Sequence, residues 1–207
     1  MSDLQCVLLE CEYFPCISWY RNFLLHEQII IEQCENFQRA SLRNRCYVAG
    51  PNGKLALSVP LQEGRNQKTL MKDVKISYRE KWQHVHWRTL LACYNRTPYF
   101  EYFQHLLEPL FEKKYTYLMD LNINSLQAMN QCVSVKKEIS LTENFLFIQP
   151  TEILDLRYSF NAANSEDGNA ISYIQPFEEK NGFIKGLSML DMLFCTGKQA
   201  TELLLSS

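Results

Sequence analysis

Short apolar runs alternate with amphipathic stretches along the chain. Cys6-Val-Leu-Leu-Glu10 reads as a strand, and after Pro15 the residues Ile17, Tyr20, Phe23 and Leu24 recur at helical spacing. The run at 28–32, with Ile29-Ile30-Ile31 at its centre, predicts a second buried strand. Pro51-Asn52-Gly53 is a turn signal between strands expected around 45–49 and 55–60, and Val74-Lys75-Ile76 is a further short strand candidate. Ser77-Tyr78-Arg79-Glu80 has the pattern of a capping box, in which hydroxyl and carboxylate satisfy each other's orphan backbone donors. It predicts a long helix from near Tyr78 to near Arg96. Thr97-Pro98 then supplies an N-cap and a first-turn proline for a helix to about Lys113, with Tyr99, Phe103, Leu106 and Leu110 on one face.

Asn122 or Asn124 is expected to cap a third helix through Cys132, and strands are expected over 138–141 and 145–149. The polar stretch 161–169 has the composition of a connection, Ser188 and Asp191 form a second capping pattern before a helix over 190–194, and Gly197 ends it ahead of a short final helix. This order predicts an α/β fold: a mixed sheet with flanking helices, a helical hairpin in the middle and a small C-terminal α+β extension. With 207 residues, 46% of them hydrophobic, the chain is expected to form one domain, 1–207, in which 1–135 is the α/β core and 136–207 packs on it.

Composition narrows the function classes. A net charge of −2 without a run of one sign offers no electrostatic footprint for nucleic acid. No apolar run approaches the roughly 20 residues that span a bilayer, and Met1-Ser-Asp-Leu4 lacks a signal peptide's basic start, so a cytoplasmic chain with no membrane partner is expected. The eight cysteines include no C-x-x-C pair and several sit within apolar runs, the pattern of reduced, buried thiols rather than of a disulfide scaffold or a zinc site. The seven glycines include no P-loop or G-x-G-x-x-G spacing.

Candidate chemistry concentrates in the polar block 32–45, which packs Glu32, Glu35, Asn36, Arg39, Arg43, Asn44 and Arg45 between strand-like runs. Its carboxylates, arginines and amides suit the grip of a polyanionic or polyhydroxylated small molecule; a solvated loop with local ion pairs has the same composition. Glu12 and Tyr13 lie between the first strand and the first helix, where open α/β sheets bind ligands. Glu12 is there either a general base or anchor for a ligand amine, or a cap on the helix dipole. His84-Val85-His86 invites a metal reading, but on a helix the two rings point about 200° apart and do not share an ion, so no metal is expected. His86 shares a face with Trp82, Leu90 and Cys93, as a core histidine or as a general acid/base facing a cleft. Cys34 beside Glu35 is a conceivable nucleophile with no neighbour that guarantees a lowered pKa.

Glu12-Tyr-Phe-Pro15, the block from Glu32 to Cys46, Leu57-Ser-Val-Pro60, Leu70-Met-Lys72-Asp73-Val-Lys-Ile76, Trp82-x-x-x-His86-Trp87, Tyr94-Asn95 with Thr97-Pro98-Tyr-Phe100-Glu101, Tyr173-Ile-Gln175-Pro-Phe177 and Leu187-Ser-x-Leu-Asp191 follow in an order that resembles the WbqC-like proteins over essentially the whole chain. Where many members have Gln-Pro before the aromatic pair, this chain has Glu10 and Cys11; where related members carry His or an aromatic it has Cys34 and Leu42. The family's namesake is linked to O-antigen and related surface-polysaccharide gene clusters. The resemblance therefore implies a cytosolic group transferase acting on an activated sugar or its acyl or aminoacyl substituent. It marks Arg43, Asn44, Arg45, Lys72, Asp73, His86 and Tyr94 as matching the family's polar motif positions. Taken with the residues themselves, Arg39, Arg43, Arg45 and Lys72 are expected to bind the phosphates or carboxylate of a donor. Asn36, Asn44, Asp73, Tyr13 and Tyr94 complete the substrate contacts, and Glu12, Glu35 and His86 are the candidates for proton transfer. The expected partner is a small-molecule substrate, with homo-oligomer formation left open and no cofactor specified. The competing readings are a ligand-binding module without catalysis, and a scaffold subunit docking through Tyr99, Tyr102 and Phe103.

Overall fold

The computed structural model describes residues 6–62, 68–160 and 171–206. Strand β1 (Cys6–Glu10), helix α1 (Ile17–Leu25) and strand β2 (Gln28–Glu32) form a parallel βαβ unit, with Cys6 opposite Gln28 and Glu10 opposite Glu32. Val7, Leu8 and Leu9 are buried, the continuous apolar run of a central parallel strand covered on both faces. Helix α1 buries Trp19, Tyr20 and Phe23, and the Trp19 indole donates to the Glu10 carbonyl at 2.9 Å, locking the helix back onto the strand it follows.

Two three-residue strands complete the sheet, β5 (Ile139–Leu141) beside β2 and β6 (Ile153–Asp155) beside β1, giving the all-parallel order β5-β2-β1-β6. Strands β3 (Arg45–Gly50) and β4 (Gly53–Ser58) form a separate antiparallel hairpin closed at Pro51-Asn52, with Gly53 at φ 104. The α/β class is the expected one, with parallel and antiparallel pairing divided between two sheets instead of mixed in one. Both edge strands of the parallel sheet come from the part of the chain beyond residue 136.

Helices α2 (Trp82–Tyr94), α3 (Phe100–Leu107), α4 (Pro109–Glu112) and α5 (Leu118–Cys132) fill the middle of the chain. The long helix begins four residues later than its capping pattern predicts. Ile76 and Ser77 donate backbone hydrogen bonds to Thr116 and Pro60, which keeps this segment extended, and the strand expected at 74–76 is reduced to isolated bridges. The helix expected to Lys113 divides at Pro109, which has no N–H to continue it. Helix α5 starts at Leu118, placing Asn122 inside it instead of at its cap. The expected strand at 145–149 does not form; the run is irregular, with Phe147 and Ile148 more than four-fifths exposed. The polar stretch 161–169 lies outside the described residues.

Helix α6 (Glu178–Asn181) is a single turn; α7 (Met189–Thr196) is capped by the Ser188 hydroxyl, which accepts from Leu190 N, and ends at Gly197 before α8 (Gln199–Leu205). All eight cysteines are free thiols, six of them buried. Among the described residues no helix is long and apolar enough to cross a membrane.

Candidate functional site

The carboxyl edge of the parallel sheet collects charge. Paired register places Glu10 and Glu32 side by side at the ends of β1 and β2, and both are fully buried. Beyond β2 the chain turns sharply: Cys34 N donates to Glu32 Oε1 at 2.7 Å, and Thr142 Oγ1 donates to the same oxygen at 2.6 Å. Arg157, just past β6, donates to Glu32 Oε2 at 2.8 Å and pairs with Asp155, while its second terminal nitrogen also reaches the Leu146 carbonyl. Glu35 and Arg43 form a two-pronged ion pair, Nε to Oε1 at 2.6 Å and Nη2 to Oε2 at 2.9 Å, beneath the Tyr158 ring at 5.3 Å.

Two further carboxylates have no basic side chain bonded to them. Glu10 closes β1 and Glu12 follows two positions later, outside the strand, where it feels the Glu10 charge. Glu10 Oε2 accepts from Tyr158 N and Glu12 Oε2 accepts from Cys16 N, each at 3.0 Å. The other oxygen of each is buried without a hydrogen-bond partner among the described residues. Asn122 reaches in from α5, donating through Nδ2 to the Cys11 and Arg43 carbonyls at 3.2 and 2.8 Å, and its Oδ1 is likewise unpartnered. Burial pushes Glu10 up to about 7, against the opposing attraction of Arg43. Burial and the neighbouring Glu10 charge hold Glu12 well above the carboxylate range.

The turn that carries Glu12 is held in an unusual conformation. Phe14 sits at φ 43, a left-handed position that a bulky residue adopts only when its surroundings enforce it. Its carbonyl accepts from the buried Ser188 hydroxyl at 2.8 Å, and Met189 N and Leu187 O bond to Pro15 and Ile17 on either side. The C-terminal part of the chain thereby fixes the exit from β1.

Of the residues expected to act together, the structure gathers Glu12, Glu35 and Arg43. His86 and Tyr13 form a second buried pair, Nδ1 to hydroxyl at 3.1 Å, with the His86 ring edge-on to Trp82 at 5.1 Å. Burial lowers His86 to about 4, against the opposing pull of the Ser58 backbone. Asn44 and Arg45 are half-buried and bond to the Val59 carbonyl and the Ser58 hydroxyl. Asn36, Arg39, Lys72 and Asp73 are exposed. Lys72 and Asp73 stand on a short 3-10 turn held against the polar block by Met71 N donating to Glu35 O and Lys72 N to Gln33 O. Tyr94 is wholly inside, donating to Asp191 Oδ1 at 2.6 Å. Cys34 Sγ is turned to the Glu143 carbonyl at 3.3 Å.

Glu10, Asn122, Arg157 and Tyr158 join this centre without having been singled out as site residues from the sequence, and Glu32, read there only as part of the polar block, joins it too. A charged residue closing each of two apolar strand runs was the signal available for Glu10 and Glu32. A cavity of about 910 Å³ lies beside α5 and β5, lined among others by Gln127, Lys136 and Ile139, and one of about 540 Å³ lies between Arg96 and Phe177. Neither is lined by Glu10, Glu12, Glu35 or Arg43, and all four of these side chains are buried. Among the described residues no group of three or more His, Cys, Asp or Glu is placed to hold a metal ion.

No curated protein and no solved structure is significantly similar to the chain. The family model of the WbqC-like proteins, by contrast, matches residues 11–170, a span that carries Glu12, Glu35, Arg43, Asn122 and Arg157 together. The chain belongs to the WbqC-like protein family.

Proposed function

We propose that this protein is a cytoplasmic group transferase acting on an activated sugar, or on its acyl or aminoacyl substituent, in surface-polysaccharide biosynthesis. The observation that carries the reading is the pair Glu10 and Glu12, buried beside Arg43 at the carboxyl end of a parallel sheet with one oxygen of each unpartnered. Glu10, raised to about 7, exchanges a proton near neutrality, as a general acid or base must. Glu12 shares that role. Glu35, with both oxygens engaged, positions Arg43. Arg39, Arg45 and Lys72, on the rim, supply positive charge for a phosphate or carboxylate of the donor. His86 and Tyr13 form a neutral pair under the second face of the turn.

The test is a thermal-shift screen against nucleoside diphosphate sugars, nucleotides, acyl-CoA species and amino acids on the wild type and on Arg45→Ala, followed by turnover assays with the ligand found. A ligand that raises the wild-type melting temperature and leaves the variant unmoved, and whose turnover falls at least a hundredfold in Glu12→Gln, supports the reading. The burial of Glu10, Glu12, Glu35 and Arg43 favours a second reading, a non-catalytic binding subunit. Stoichiometric binding without turnover would establish that one instead.

A further inference from the structure

Three buried side-chain oxygens around the end of β1 have no hydrogen-bond partner among the described residues: Glu10 Oε1, Glu12 Oε1 and Asn122 Oδ1. Asn122 is 1% exposed, and its amide nitrogen bonds the Cys11 and Arg43 carbonyls, which sets this side chain against the residue that lies between Glu10 and Glu12. Buried polar atoms are ordinarily satisfied, and three unpartnered oxygens together mark a place for a group rich in hydrogen-bond donors. Charge points the same way. Arg43 is neutralised by Glu35, and Arg157 by Glu32 and Asp155, which leaves Glu10 and Glu12 as acids with no bonded cation. A phosphate or carboxylate would bring further negative charge beside two acids, and a hydroxyl would answer no charge. A primary ammonium brings three N–H donors and one positive charge.

We propose that the substrate presents a primary ammonium group, on the sugar or on an aminoacyl substituent, which seats between Glu10 and Glu12 against Asn122. The inference deepens the transferase reading by naming the group recognised, and it rests on that reading for the site being a substrate site. At neutral pH the acids share protons, and the cation displaces one: the ammonium enters, one proton leaves a carboxyl group for solvent, and the carboxylate left behind faces the cation. Tyr158 is the roof. It is half-exposed, its ring covers Arg43, its backbone N–H holds Glu10 Oε2, and it sits at φ 67, so entry requires this residue to swing aside.

The experiment is titration calorimetry of the full chain with glucosamine and glycinamide, each beside its hydroxyl counterpart, glucose and glycolamide, in two buffers of different ionisation enthalpy. Binding of at least one amine, silence of its hydroxyl counterpart, release of about one proton at pH 7, and at least tenfold weaker binding to Glu10→Gln and Glu12→Gln are expected. Which amine binds tells whether the ammonium belongs to the sugar or to the aminoacyl group. Equal binding of amine and hydroxyl partners, unchanged affinity in both variants, no binding of either amine, or displacement of the amine by equimolar potassium chloride would overturn it. The proton count on the wild type keeps the test decisive even where a variant fails to fold. Amine binding with no effect of any activated donor would sink the transferase reading alone; a nucleotide-sugar shift with silent amines would sink this inference alone.

Discussion

Glu35 and Arg43 meet in a two-pronged ion pair that is almost wholly buried, between a turn after β2 and the residue two before β3. Arg43 also acts on Glu10 and Glu12, its charge pulling both carboxyl groups back toward ionisation. Replacing Arg43 by Met leaves Glu35 without its counter-charge in the interior, which costs about 3–5 kcal/mol. Adding Glu35→Gln to Arg43→Met relieves that charge and returns part of the loss. Urea unfolding of the two single variants and the double variant measures the coupling. Additive losses would show that the pair is not a unit.

Stability should respond to pH through two opposed groups. Glu10 rises from 4.5 to about 7 on folding, so the folded chain holds the extra proton between those values and stability falls as pH climbs through them, by about 3 kcal/mol. Glu12, likewise raised by burial, adds to that loss in the same direction. His86 falls from 6.5 to about 4, so between those values the unfolded chain binds the extra proton and stability rises with pH, again by about 3 kcal/mol. The Glu10 and His86 slopes therefore oppose each other between pH 4.5 and 6.5. Glu10→Gln removes one slope, so it should exceed the wild type by up to about 3 kcal/mol at pH 8 and match it below pH 4.5. Parallel wild-type and Glu10→Gln profiles in chemical denaturation would contradict a proton-holding Glu10.

What was legible in the chain was local. The apolar runs of β1 and β2, the helical spacing of Ile17, Tyr20 and Phe23, the Ser188 cap and the Gly197 stop all depend on neighbours within a few positions, and all appear where expected. The capping pattern at 77–80 is equally local, yet Ser77 N and Ile76 N are claimed by Pro60 and Thr116, and pairing across the fold outweighs the cap. Asn122 reads as a cap because asparagine favours helix starts, while its amide serves carbonyls 111 and 79 positions away. Strand β6 is three residues long and exists through its pairing with Cys6–Leu8. The bond from Arg157 to Glu32 joins positions 125 apart, and no periodicity announces it.

Gly197 illustrates a backbone requirement with a clear cost. It adopts φ 63, and a Cβ there would stand 2.7 Å from two carbons of the Tyr99 ring. Gly197→Ala therefore meets both left-handed strain and a ring that must move, at about 1–3 kcal/mol. A melting temperature within a degree of the wild type would show that Tyr99 yields freely.

The Lys137 ammonium donates to the carbonyls of Phe23 and Leu24 at 3.0 and 2.6 Å and to that of His26, closing the C-terminus of α1 with a side chain from the start of β5. Lys137→Met keeps the aliphatic stem and removes the donors, leaving three carbonyls to find water. A loss of about 1–3 kcal/mol is expected, with faster hydrogen exchange at the last turn of α1 and unchanged exchange in α5. Uniform acceleration across both helices would place the effect elsewhere.

Asp191 is buried on α7 and accepts from Tyr94 Oη at 2.6 Å and from Tyr173 Oη at 2.6 Å, while Tyr94 Oη itself accepts from Ala49 N at 2.8 Å. One carboxylate thereby joins α2, the β3 hairpin and the segment after residue 171. Burial raises Asp191 from 3.8 to about 6 despite both tyrosine donors, so it is ionised at pH 8 and largely neutral at pH 5. Tyr94→Phe removes a donor from Asp191 and an acceptor from Ala49 N, and Tyr173→Phe removes a donor from Asp191 and an acceptor from Gln175 Nε2. A hydrogen bond to a charged group contributes about 1.5–3 kcal/mol and a neutral one about 1 kcal/mol. Both variants should therefore lose more stability at pH 8 than at pH 5. Urea unfolding of the two variants at both pH values decides it: equal losses at pH 5 and 8 would mean that Asp191 does not change its charge in the folded chain.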